Sequence, residues 1–109
     1  MTKPIPDGFG PLTPHLVVSD AAAAIEFYRK AFGAEEVMRL PAPDGKRVMH
    51  AEVRIGGARL MLASAMPEYG SKGPDQYGGS PVAIHHYCAD VDATVERAGR
   101  QWDLFQAGL

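Results

Sequence analysis

The sequence has 109 residues, of which 46% are hydrophobic and 22% charged, with a formal net charge of −2. This length and balance are typical of one globular domain, and the slightly acidic charge argues against a nucleic-acid partner. No apolar run approaches the roughly 18 residues of a membrane helix, so we expect no membrane partner. The prolines and glycines near the start do not fit a secretion signal, and the single cysteine, Cys88, excludes an internal disulfide. Both features favour a cytoplasmic location.

The first part of the chain predicts an arm, a strand and a helix. Residues 1–12 are rich in proline and glycine, and the apolar run at 16–18 is typical of a strand. Asp20 is a good helix N-cap because its carboxylate accepts hydrogen bonds from the backbone amides of the first turn. The helix formers of AAAAIEFYRKAF follow, and Gly33 ends them. The apolar residues of this helix recur at helical spacing: Ala21, Ala24, Ile25, Tyr28 and Phe32.

The middle of the chain predicts a β-hairpin with one buried face. Asp44-Gly45 is a turn signal, and residues 47–55 alternate between apolar and polar side chains. We expect Met49, Ala51, Val53 and Ile55 on the buried face, with His50, Glu52 and Arg54 on the other. Gly56-Gly57 then makes a tight turn into the second strand.

The last part predicts a loop, a strand and a helix. Residues 64–81 are rich in Gly, Pro and Ser without periodicity, which is typical of a linker or lid. We then expect a strand over PVAIHHYCAD and a helix over DVDATVERAGR. The helical stripe continues into the tail, so we expect residues 100–106 to stay helical; its members are Val91, Val95, Ala98, Trp102, Phe105 and Leu109.

Two segments of the sequence repeat each other at an offset of 70 residues. LVVSDAAAAIEF and HYCADVDATVER align Asp20 with Asp90 and Glu26 with Glu96. Many helices begin this way, so chance similarity is one interpretation. A duplicated strand–helix module is the other, and the matching lengths of the preceding strands favour it.

The segments TPHLVVSDAAAAIEFYRKAFGAEE, VMHAEVRIGGARLMLASAMPE and GGSPVAIHHYCADVDATVERA, in this order, resemble the glyoxalase/bleomycin resistance/dioxygenase (vicinal oxygen chelate) superfamily, in its bacterial glyoxalase-like branch. The resemblance implies an α+β fold in one domain, residues 1–109. It implies a βαβββ module over 11–66, a linker loop over 67–81 and a partial second module (β-α) over 82–109. A member would continue for three more strands after Arg100, so the second module is cut short, either naturally or through an altered reading frame.

The resemblance also locates the family's metal ligands, which come from the first and last strand of each module. The corresponding positions look like Thr13, Met61 and Ala83, and the fourth would lie on the missing last strand. These side chains are not plausible ligands for a hard divalent ion. We therefore expect no metal at the family's usual position, and no cofactor.

A set of polar and soft side chains forms the candidate ligand-binding cavity. His15 and His85 are partners at the 70-residue offset and should share the cavity face with Thr13 and Ala83. Such side chains can bind a metal, contact a substrate or act in acid–base chemistry, but strand histidines are also common as ordinary polar residues. No catalytic residue is assigned; the cavity candidates are His15, His50, Glu52, Met61, His85 and Tyr87.

Three functions fit the sequence. The leading one is a small-molecule-binding protein without the standard metal, similar to the bleomycin resistance type, which sequesters a ligand at a dimer interface. The alternative is a lyase, isomerase or dioxygenase-type enzyme that uses a relocated metal or none. The third is a remnant that folds and dimerises without a ligand. We expect a homodimer, because one complete and one partial module would leave a sheet edge unpaired.

Overall fold

The computed structural model describes residues 3–107, and the side chains of residues 3–104. It confirms the predicted α+β class. The elements are β1 (His15–Val18), α1 (Ala21–Phe32), β2 (Glu35–Pro41), β3 (Val48–Ile55), β4 (Ala58–Ser64), a 3-10 turn (Pro67–Tyr69), the one-turn helix α2 (Pro74–Tyr77) and α3 (Val91–Ala107). No helix among these residues is long and apolar enough to span a membrane.

The four strands form one sheet in the order β1-β4-β3-β2. β1 runs parallel to β4, while β3 pairs antiparallel with both β2 and β4. The parallel pair requires a crossover, and α1 lies in that crossover. The βαβββ order expected from the sequence is therefore confirmed; the exact boundaries of module and linker stay a prediction.

Helix α1 begins and ends where the sequence predicts. Asp20 Oδ1 accepts a hydrogen bond of 3.1 Å from the Ala23 amide, and Gly33 ends the helix in the left-handed region at φ 69°. Its buried side chains include Ala21, Ala24 and Ile25. These pack on the sheet against Ala51, Val53 and Leu62, which are all 0% exposed.

The prediction that Met49 faces the core is wrong. Leu40 pairs with His50, whereas the next residue of β2, Pro41, pairs with Val48. Met49 is therefore the extra residue of a β-bulge, which turns it outward. Val48 takes the buried position, while Met49 is 48% exposed.

Residues 82–88 do not form the predicted strand of the second module. They carry no strand pairing among the described residues, and they lie exposed except for the half-buried Cys88. A strand needs a neighbour to satisfy its amides and carbonyls. Without one the apolar pattern of this segment does not produce a strand.

Helix α3 is confirmed, including residues 100–106, but the face that it buries differs from the predicted one. Its start repeats that of α1, because Asp90 Oδ1 accepts from the Ala93 amide at 3.0 Å. Val91 and Val95 are 60% and 65% exposed, whereas Thr94 and Ala98 are half-buried. Helix α3 packs against α1, and this contact buries the face that carries Thr94 and Ala98 rather than the whole predicted stripe. The predicted stripe members Phe105 (side chain) and Leu109 lie outside the described residues.

The linker is more ordered than its composition suggests. It contains the 3-10 turn and α2. Arg47 donates two hydrogen bonds to the Glu68 carboxylate, of 2.9 and 2.7 Å, which tie the linker to the hairpin. Gly73 lies against β1, where an added Cβ would sit 3.2 Å from the Val17 carbonyl oxygen.

One buried hydroxyl joins three elements. Ser64, at the end of β4, is 3% exposed, and its Oγ accepts hydrogen bonds from the amides of Ala21 (3.2 Å) and Val48 (3.1 Å). These amides belong to the first residue of α1 and the first residue of β3. A hydroxyl oxygen has two lone pairs, so it can satisfy both.

We predict that Ser64→Ala lowers the free energy of unfolding by about 2 kcal/mol, because two buried amides lose their acceptor. Urea unfolding measures this change. The control is Ser71→Ala, since the Ser71 hydroxyl makes no hydrogen bond within residues 3–107. Equal stability of the two variants would contradict the role given to Ser64.

Candidate functional site

Three candidate residues lie in one row across the sheet. His15 on β1 is in register with Met61 on β4, and Met61 is in register with Glu52 on β3. Neighbouring residues of a strand point to opposite faces, and Leu62 and Val53 pack under α1. The row therefore lies on the sheet face away from the helix, and His50 shares that face.

The polar members of the row contact one another. His50 Nε2 lies 3.1 Å from Glu52 Oε2, so this nitrogen donates to the carboxylate when it carries the proton. The rings of His15 and His50 stack, with centroids 5.8 Å apart and planes 13° from parallel. The carboxylate and the stacked ring restrict the imidazole of His50, as binding or acid–base chemistry requires.

Arg59 belongs to this group, although sequence reasoning missed it. It lies on β4 two residues before Met61, so strand alternation alone places it on the same face. Its side chain is 15% exposed, and Nη1 lies 3.7 Å from Glu52 Oε1. Its Nε is buried and makes no hydrogen bond among the described residues. Glu52 thus lies between a cation and His50, which offsets part of the cost of burying Arg59.

The N-terminal arm covers one end of the row. The Arg59 guanidinium carbon lies 5.0 Å from the centre of the Phe9 ring, a cation–π distance. Gly8 adopts φ +84°, and a Cβ there would lie 3.1 Å from Arg59 Nη2, so glycine permits the close approach. The arm, Thr13, Glu52 and Met61 line a pocket of about 330 Å³.

His85 and Tyr87 do not join this group within the chain. Their rings contact each other at 4.5 Å. His85 lines a separate cavity of about 230 Å³ with Leu16 and Leu60, on the helix side of the sheet. Tyr87 is 89% exposed. The expectation that they share the face of His15 rested on strand alternation, which does not apply because 82–88 is not in the sheet.

The residues at the family's metal positions do not fit a hard divalent ion. Thr13, Met61 and Ala83 offer a hydroxyl, a thioether and a methyl group, and Ala83 lies outside any strand. Within residues 3–107, no three His, Cys, Asp or Glu side chains are grouped to hold an ion. We therefore derive no chemistry through a metal.

The fold and site define a class of α+β protein in which a βαβββ sheet carries helices on one face and a row of polar side chains on the other. A model of the Glyoxalase/Bleomycin resistance protein/Dioxygenase superfamily matches residues 8–102. The chain belongs to this superfamily, as the resemblance indicated.

Two mycobacterial relatives match most of the chain. The uncharacterized proteins Mb0911c of Mycobacterium bovis and Rv0887c of Mycobacterium tuberculosis are each 52% identical over 90 residues, which is 80% of this chain. The match spans 59% of the first relative and 52% of the second. The chain thus spans about half the length of these relatives.

Solved structures share the fold at low identity. A gene product of Arabidopsis thaliana has a TM-score of 0.66 and 22% identity, covering 85% of this chain and 73% of its own. TioX from Micromonospora sp. has a TM-score of 0.52 and 22% identity, covering 84% and 69%. The fosfomycin resistance protein FosX of Listeria monocytogenes has a TM-score of 0.51 and 17% identity, covering 84% and 68%.

We predict that the arm shields Met61 and that the contact of Phe9 with Arg59 holds the arm in place. In a Cys88→Ser background, Met61→Cys provides one thiol under the arm, and its rate of alkylation reports exposure. Adding Phe9→Ala should raise that rate about threefold to tenfold, as expected for losing a cation–π contact of roughly 1 kcal/mol. Phe9→Tyr keeps the ring and should leave the rate unchanged. An alkylation rate that Phe9→Ala does not alter would exclude this role for the arm.

Proposed function

We propose that this protein binds a small organic molecule on the sheet face lined by His15, His50, Glu52 and Met61. The observation that carries the proposal is the Glu52 carboxylate, held between His50 and the largely buried Arg59 beside a pocket. Polar side chains that are fixed beside a pocket can orient a ligand in it.

The walls of the pocket favour a ligand with an apolar body and a hydrogen-bonding group. Ile5, Phe9 and Met61 supply apolar surface, and Glu52 and Thr13 supply the polar contacts. Small-molecule sites commonly combine many apolar atoms with a few placed polar groups. The superfamily includes resistance proteins, and FosX has been crystallised with Mn(II) and 1S,2S-dihydroxypropylphosphonic acid, so small ligands are compatible with the fold.

An enzyme of the lyase, isomerase or dioxygenase type is the second candidate, and the His50–Glu52 pair favours it. An imidazole hydrogen-bonded to a carboxylate is a suitable general base or acid. Such an enzyme would use either no metal or a metal away from the family's usual position. A remnant that folds and dimerises without a ligand is the third candidate.

We further propose a cytoplasmic homodimer. β1 is an edge strand, and the neighbouring segment exposes Val82 and Ile84, followed by Val91 and Val95 on α3. The linker approaches this edge at Gly73, and the remainder of the edge, together with the exposed apolar side chains, favours association. In an isologous dimer, each subunit would bury this same surface against its partner. The interface should bury more than roughly 1,000 Å² in total.

We predict that protein purified without a histidine tag carries a small molecule detectable by native mass spectrometry. Glu52→Gln should lower its occupancy about tenfold, because a charged hydrogen-bond partner contributes roughly 1.5–3 kcal/mol. Glu96→Gln, at an exposed carboxylate of α3, is the matched control. Metal analysis of the same sample separates the candidates, since one ion per chain would favour the enzyme. Absence of any compound, or equal occupancy in both variants, would refute binding at this face.

We predict a dimer at micromolar concentration in analytical ultracentrifugation. Val95→Lys should weaken association at least about tenfold, because it places a charge in an apolar contact. Val37→Lys changes an exposed valine of β2, at the other edge of the sheet, and should have no effect. A folded monomer whose unfolding does not depend on protein concentration would rule out the dimer.

A further inference from the structure

A cavity of about 230 Å³ lies on the helix side of the sheet, opposite the face that carries His15 and Glu52. Side chains of β1, β3 and β4 form its floor, and the C-terminal half of α1 forms one wall. Residues 84–86 lie on a further side of it. We call this space the helix-side cavity. Its larger apolar lining residues are Leu16, Tyr28, Phe32, Ile55, Leu60 and Ile84.

Strand alternation turns the side chains of the floor toward α1. Leu60 is two residues from Leu62, and Ile55 is two residues from Val53, and both Leu62 and Val53 belong to the buried core. Leu60 and Ile55 therefore lie on the helix side of the sheet, where both pack against that core while staying only partly buried. The helix-side cavity thus continues the hydrophobic core beyond the area that α1 covers.

The lining of the helix-side cavity carries little charge. Among the described residues, no acidic, lysine or arginine side chain lines it. Its polar side chains are the Tyr28 phenol and the rings of His85 and His86. Burial raises the pKa of Tyr28, so the phenol stays uncharged at neutral pH. A charged ligand would lose hydration here without meeting an opposite charge, so the cavity favours an uncharged ligand.

The segment beside the cavity can adapt to an occupant. From Ala83 to Cys88 the backbone makes no hydrogen bond with any described residue. The ring of His86 contacts the Phe32 ring of α1, with centroids 5.8 Å apart and planes at 90°. A segment without backbone hydrogen bonds can shift at low cost, so it can follow the shape of a bound molecule.

We propose that the helix-side cavity binds a small uncharged, hydrocarbon-like molecule of about the size of one substituted aromatic ring. Water in an apolar cavity finds few hydrogen-bond partners, and a cavity of about 150 Å³ with Leu, Ile and Phe walls can bind benzene. The volume of about 230 Å³ is therefore enough for one such ring. This site is independent of the ligand proposed for the other face, since the helix-side cavity shares no lining residue with the pocket under the arm.

The isoleucines make the test direct, because the chain has only Ile5, Ile25, Ile55 and Ile84. Ile55 and Ile84 line the helix-side cavity, Ile25 lies in the core, and Ile5 lines the pocket under the arm. In methyl NMR of isoleucine-labelled protein, toluene should shift the signals of Ile55 and Ile84 with saturation in the low millimolar range and leave Ile5 and Ile25 in place. Benzoate and benzylammonium, its charged analogues, should bind at least about tenfold more weakly.

Several results of this titration would overturn the proposal. Equal binding of the three probes, or no saturating shift with toluene, would mean that the cavity does not select an uncharged molecule. A shift of Ile5 alone would place toluene under the arm. Signals of Ile55 and Ile84 that change with protein concentration and not with toluene would assign the cavity to contact with a second copy of the chain.

Ala58→Phe fills the helix-side cavity from the start of β4, where residue 58 is exposed and lies two positions before Leu60. The variant should keep its circular dichroism and lose toluene affinity at least about tenfold, because the added ring takes the space of the ligand. Val37→Phe adds the same ring at an exposed position of β2 outside the cavity and should keep wild-type affinity. Unchanged affinity in Ala58→Phe, or an equal loss in Val37→Phe, would contradict binding in this cavity.

Discussion

The Ser64 hydroxyl is the point at which the helix and the sheet are fixed to each other. Its two hydrogen bonds hold the start of α1 and the start of β3 against the end of β4. Ala21 follows the end of β1 by three residues, so this contact brings the ends of β1 and β4 together, as in the observed parallel pair. This pairing places His15 beside Met61, so the position of the candidate site follows from a buried contact on the other side of the sheet.

The two faces of the sheet separate the buried core from the candidate site. Side chains such as Val53 and Leu62 lie under α1 and are fully buried. Their strand neighbours Glu52 and Met61 lie on the open face and line the pocket. The arm covers this polar row only partly, so the row loses little of its hydration free energy. Burial on one face thus keeps the polar groups of the other in register. The same alternation makes a one-residue shift in strand register costly, since the shift would turn the apolar side chains to the open face and the polar ones into the core.

The sequence was most informative where a local rule decides the structure. Helix α1 begins after Asp20 and ends at Gly33, as predicted. Asp90 caps α3 in the same way as Asp20 caps α1. Many helices begin with such a cap, and the strand that the repeat predicts before Asp90 does not form within residues 3–107, so the duplicated module stays a prediction. Alternation in β3 correctly placed Ala51 and Val53 in the core, and His50 beside Glu52 on the other face.

Features that depend on distant partners were not predictable. The bulge at Met49 arises from pairing with β2, and the exposure of Val91 and Val95 from how α3 lies on α1. Residues 82–88 have strand composition but pair with no strand within residues 3–107. The contact between Phe9 and Arg59 joins residues far apart in the chain, and no local pattern signals it.

The histidines offer the most direct measurement of where a ligand binds. His15 and His50 lie on the open face of the sheet, while His85 and His86 line the cavity on the helix side. In protein with ring-labelled histidine, NMR spectra can be recorded before and after the co-purifying small molecule is removed. A ligand on the open face should shift the resonances of His15 and His50 and leave those of His85 and His86 in place. Shifts confined to His85 and His86, or no shift at all, would contradict a binding site on the open face.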